Sequence, residues 1–64
     1  MQEKEPEAQD RIELMPHMDL WMRGAKFGTV EKIVIIGGLV KYKIQLDALS
    51  TATLFSRNQF KVIN

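Results

Sequence analysis

The residue types best suited to chemistry near neutral pH are sparse in this chain. His17 is its one imidazole, and there is no cysteine. A lone imidazole lacks the companion ligands that a zinc or other transition-metal site requires, so no metal site is expected. Ser50 and Thr51 carry hydroxyls, but no base lies nearby in sequence to activate either one, and a polar turn accounts for both. Gly24 and Gly28 bracket a loop of the kind that cradles phosphates. That loop does not end in the glycine-lysine-serine/threonine sequence of a phosphate-binding loop, and the residues after it, Thr29 and Val30, favour a strand over a helix. The expectation is a non-enzymatic protein with no cofactor.

What remains is charge. Residues 1–17 hold five acids (Glu3, Glu5, Glu7, Asp10, Glu13) against Lys4 and Arg11, a net of −3. Residues 18–64 hold seven bases (Arg23, Lys26, Lys32, Lys41, Lys43, Arg57, Lys61) against Asp19, Glu31 and Asp47, a net of +4. Lys41 and Lys43 share one face of an alternating segment, and Lys32 is expected on the neighbouring strand. With Arg23, Lys26 and Arg57 on loops they would form a basic surface suited to phosphates, and Phe27, between Lys26 and a glycine, would be available for stacking on bases. The competing account is a scatter of solubilising lysines that protect strand edges from aggregation. Trp21 and Tyr42 are expected mainly in the core, because a domain with five aromatic residues needs most of them inside.

The elements that must position these residues follow from pattern. The first ten residues have almost nothing to bury and are expected to be disordered. Between residues 10 and 18 the apolar positions Ile12, Leu14, Met15 and Met18 fit either a short helix, limited by Pro16, or an extended docking segment. Residues 18–22 read as a first strand with Trp21 as its bulky member, followed by a glycine turn. Residues 29–36 are rich in β-branched side chains, and Gly37-Gly38 is a two-residue hairpin signal. Residues 39–46 alternate, with Val40, Tyr42, Ile44 and Leu46 on one face and Lys41, Lys43 and Gln45 on the other. Residues 51–55 form a fourth strand, Ser56 opens one turn of helix, and residues 60–63 close the chain as a fifth strand.

The run Leu20-Trp21-Met22-Arg23-Gly24, the later Gly28-Thr29-Val30, the long hairpin and a final short strand after a turn resemble the SH3-like barrels. Among these the chain is most similar to KOW-type domains and to short bacterial and phage proteins, over residues 18–64. The resemblance implies an all-β, five-stranded SH3-like barrel preceded by an acidic tail, residues 1–17. It also implies a binding partner that is nucleic acid or a protein of nucleic-acid machinery. A protein-interaction adaptor gripping its partner by an apolar sheet face or strand edge is the alternative.

Two further expectations concern setting and assembly. The longest apolar run, residues 33–40, is far short of the roughly 20 residues needed to span a bilayer, so no membrane partner and a cytoplasmic location are expected. A 64-residue chain buries only about 60% of its unfolded surface, and without disulfides or metal its expected aid is a partner, in the first place a second copy. Ile33, Ile35, Ile36 and Leu39 crowd the hairpin tip with apolar side chains on both faces. They are the expected interface, covered either by the tail or by a homodimer.

Overall fold

The computed structural model describes residues 5–63. Five antiparallel strands form one sheet in the order β4-β3-β2-β1-β5: β1 Arg11–Leu14, β2 Phe27–Ile36, β3 Leu39–Leu46, β4 Thr53–Phe55 and β5 Phe60–Val62. The domain is all-β, as the sequence implies. The ladder does not close, because β4 and β5 are its two edges. Among the described residues no helix is long and apolar enough to cross a membrane.

Two elements differ from expectation. Of the two alternatives for this segment, a short helix or an extended docking segment, residues 11–14 take the extended one, but as an integral strand rather than as part of a tail. They form β1, which lies between β2 and β5, with Ile12 and Leu14 completely buried. The assignment of residues 1–17 to a tail therefore leaves out an inner strand. Four residues with alternate apolar positions suit a strand as well as a helical turn, and neighbours on both sides decide for the strand. The first ten residues, expected to be disordered, are ordered from residue 5 onward, while residues 1–4 lie outside the described residues. The Asp10 N–H donates to the Glu7 carbonyl at 3.1 Å, the Glu7 N–H to Asp10 Oδ2 at 2.9 Å and the Gln9 N–H to the Val30 carbonyl at 2.7 Å. Hydrogen bonds to β2 and within this turn thus hold a segment that has little apolar surface to bury. Residues 18–22, expected as a strand, contain instead a single helical turn, α1 Asp19–Met22. The Arg23 N–H donates to the Asp19 carbonyl at 3.0 Å and the Gly24 N–H to the Trp21 carbonyl at 3.1 Å. Gly24, at φ +101°, supplies the left-handed residue that ends such a turn.

One side of the sheet coils over the core. Ile12, Leu14, Val30, Ile44, Leu46 and Phe60 are completely buried, and Ala25, Tyr42 and Phe55 nearly so. The Phe60 ring meets Tyr42 edge-on, with centroids 5.3 Å apart. Met18, Leu20 and Trp21 from the α1 region and Val62 from β5 pack against this cluster. Phe60 follows a 3-10 turn, Arg57–Gln59, entered through Ser56, whose backbone N–H donates to Gln59 Oε1 at 2.8 Å.

β2 carries the feature that sets every face of the hairpin. Val30 is opposite Ile44 and Lys32 is opposite Lys43, so Glu31 is an extra residue, a bulge. Beyond it Ile33 is opposite Tyr42, Val34 opposite Lys41, Ile35 opposite Val40 and Ile36 opposite Leu39. Cross-strand pairs share a face. Ile33, Ile35 and Val40 therefore continue the core face, whereas Val34, Ile36 and Leu39 share the outer face with the lysines.

Candidate nucleic-acid interface

The basic residues separate into two groups. Lys32, Lys41 and Lys43 occupy the outer face of the β2–β3 hairpin, where alternation on either side of the bulge places them. Lys43 is opposite Leu54 on β4, giving the row Leu54, Lys43, Lys32 across three strands. The Lys41 Nζ donates to Ser56 Oγ at 2.7 Å, which ties this face to the residue that opens the 3-10 turn. Lys43 lies 4.0 Å from Glu31, the bulge residue, with both side chains about 40% exposed. Lys32 makes no ion pair or hydrogen bond with any described residue. Arg57, in the 3-10 turn, lies over the Phe60 ring at 5.4 Å and donates from Nη1 to the Phe60 carbonyl at 3.1 Å.

Arg23 and Lys26 belong elsewhere. Arg23 ends α1, and Lys26 holds its Nζ 4.4 Å from the centre of the Trp21 ring, a cation–π contact. Five residues of β2, Phe27 to Glu31, separate Lys26 from Lys32, roughly 20 Å at strand rise. The intervening outer face is of mixed charge. Glu13 accepts from Trp21 Nε1 at 3.2 Å and pairs with Lys61 at 3.6 Å. Arg11 grips Asp47 with two hydrogen bonds, Nη1 to Oδ1 at 2.9 Å and Nη2 to Oδ2 at 2.6 Å, and also donates to Thr29 Oγ1 at 2.8 Å. The Asp47 hydrogen bonds hold its carboxyl below the ordinary carboxylate range and raise the Arg11 guanidinium in turn. The continuous basic surface read from the sequence is thus interrupted, because β1 sets Arg11 and Glu13 beside Thr29 and Phe27, in the stretch of β2 between Lys26 and Lys32.

The aromatic residues divide similarly. Phe27 is 41% exposed at the start of β2, opposite Glu13, while Tyr42 is in the core and Trp21 is partly buried under Lys26. Of the apolar residues expected at an interface, Ile33 and Ile35 are on the core face and Ile36 and Leu39 on the outer face. All four are exposed, Ile35 by 73%. The tail cannot cover them with Ile12 or Leu14, which lie in the core. Two further exposed apolar residues were not legible in the sequence, Met22 in α1 at 65% exposure and Leu54 on β4 beside Lys43. A strand reading of residues 18–22 hides the first, and pairing register alone reveals the second.

Among the described residues no group of three or more histidine, aspartate or glutamate side chains is placed to hold a metal ion. Comparison with known proteins returns no match, neither to a family model, nor to a curated protein, nor to a solved structure.

Proposed function

We propose that this protein is a non-enzymatic binding module that receives a nucleic-acid backbone on the outer face of its β2–β3 hairpin. The observation that carries this reading is the placement of Lys32, Lys41 and Lys43 on one sheet face with a single carboxylate, Glu31, among them. Lysines spaced at strand rise match the repeat of a phosphate chain in kind, and the interleaved Val34, Ile36 and Leu54 offer apolar contact to sugars and bases. The five strands, with a long central hairpin and a 3-10 turn before the last, support an SH3-like architecture of the KOW type. A cytoplasmic setting accords with this reading.

The test is fluorescence anisotropy with labelled single- and double-stranded oligonucleotides across a salt series. Three phosphate contacts would give a slope of log affinity against log salt near −3 on duplex, and Lys43→Gln would reduce its magnitude by about 1. Absence of binding at low salt, or binding indifferent to Lys32→Gln and Lys43→Gln, overturns the reading.

A second reading is favoured by a different observation, the exposed apolar side chains on both faces of the hairpin, Ile33, Ile35 and Val40 on one and Ile36, Leu39 and Leu54 on the other. In this reading the hairpin docks on another protein. Partners retained after nuclease treatment, and lost with Ile36→Lys, would favour it over the first.

A further inference from the structure

The hairpin projects beyond its neighbours, and this leaves one of its backbone edges open. Gly37 and Gly38 have φ of +57° and +81°, the left-handed pair of a two-residue hairpin turn. Residues flanking such a turn exchange hydrogen bonds, so Ile36 directs its N–H and C=O to Leu39 on β3. Backbone direction alternates along a strand. Val34 and Lys32 therefore also face β3, while Ile33 and Ile35 direct their N–H and C=O to the opposite edge. On that edge β1 serves β2 only as far as Val30, whose N–H donates to the Asp10 carbonyl at 2.9 Å and whose carbonyl accepts from the Gln9 N–H at 2.7 Å. Beyond Val30 no described residue pairs with it.

Exposed edges of this kind are ordinarily protected by proline, by inward charges or by extreme shortness. Here the segment after the bulge is Lys32-Ile33-Val34-Ile35-Ile36, β-branched, free of proline and charged at one end alone. We propose that two copies of this chain pair antiparallel along the β2 edge, about a two-fold axis at Val34. In that register Ile33 exchanges two hydrogen bonds with the partner's Ile35, and Ile35 with the partner's Ile33. Val34 is opposite its own copy, and Lys32 is opposite the partner's Ile36. No two like charges meet across the seam, whereas packing the two outer faces together would bring lysines of both copies into one interface. The core face of the hairpin offers Ile33, Ile35 and Val40 before the body begins, well short of the roughly 800 Å² per partner of a standard interface. Edge pairing uses both faces and the backbone together. It is independent of the nucleic-acid reading, although a two-fold axis perpendicular to the sheet would leave Lys32, Lys41 and Lys43 of both copies on the same side.

The contact is small, and a dissociation constant on the order of 10–100 µM is expected. Sedimentation velocity between 5 µM and about 1 mM, paired with amide hydrogen exchange at the same concentrations, tests it. The expected result is a monomer–dimer equilibrium in which the Ile33 and Ile35 amides exchange at least tenfold more slowly in the dimer. Val34 and Ile36, bonded within the hairpin, should be protected throughout. Ile35→Pro removes one edge N–H that β3 does not use and should abolish dimerisation, whereas Ile35→Val should retain it. A monomer at 1 mM overturns the proposal. So does a dimer in which Ile33 and Ile35 still exchange fast, or protection of those amides that does not change with concentration.

Discussion

The two ends of the β2–β3 hairpin are built from similar residues and put to different use. At the body end Val30, Ile44 and Leu46 are completely buried, in the cluster against which Met18, Leu20, Trp21 and Val62 pack. At the tip Ile35, Ile36, Leu39 and Val40 are as apolar, yet 48–73% exposed. Hydrophobicity does not separate these sets. The number of neighbouring elements does, since the body has strands on both sides of β2 and the tip has β3 alone. Burial therefore stabilises the fold at one end and leaves surface available for contact at the other.

The largest expected effect is at the body. Phe60→Ala removes a completely buried ring that contacts Tyr42, and a cost of about 3–5 kcal/mol would consume most of the stability of so small a domain. Ile36→Ala at the tip should cost less than about 1 kcal/mol at micromolar concentration. Urea unfolding followed by circular dichroism measures both, and equal losses would break the distinction between body and tip.

The glycines sharpen it. A Cβ on Gly28 would lie 2.7 Å from the Gln45 carbonyl oxygen and 3.0 Å from Leu46 Cα, both backbone atoms that cannot turn aside. Gly28→Ala should therefore part β2 from β3 at a cost of about 1–3 kcal/mol. Gly37 faces open space, so Gly37→Ala should incur the left-handed backbone strain alone, roughly 1 kcal/mol, and Gly37→Asn less. Thermal midpoints of the three variants would establish the order.

The smallest expected effect is electrostatic. The folded-state pKa of Asp47 is lowered by its hydrogen bonds to Arg11, so the pair contributes above the ordinary carboxylate range. That contribution disappears as pH falls through the depressed value, below about pH 4. Both side chains are largely solvated, 41% and 58% exposed, so the effect is a slight one. Asp47→Asn should narrow the difference between urea midpoints measured at pH 7 and pH 3. An unchanged difference would remove the clamp from the stabilising contacts of the body.

Much of the candidate site was legible because its signals are local. The alternation of Val40, Lys41, Tyr42 and Lys43 assigns the faces of β3, and it holds in the structure. Phe27, beside Lys26 and Gly28, is exposed as its neighbours suggest. The grouping of Arg23 and Lys26 with the hairpin lysines was not legible, since it depends on what lies between them. Nothing in the four residues Arg11–Leu14 announces that they are inserted there.

By itself the sequence determined an all-β chain, the glycine-closed hairpin, the faces of β3 and the turn entered at Ser56, because each depends on neighbours within a few residues. Tertiary structure decided the rest. Unbroken alternation from Val30 would have sent Lys32, Val34 and Ile36 toward the core. The bulge at Glu31 shifts the phase by one residue and places Ile33 opposite Tyr42 instead. Extended or helical backbone was open to residues 11–14, while residues 18–22 read as a strand. The first became a strand because β2 and β5 offered hydrogen bonds on both sides, and the second became a helical turn because no strand was there to receive it.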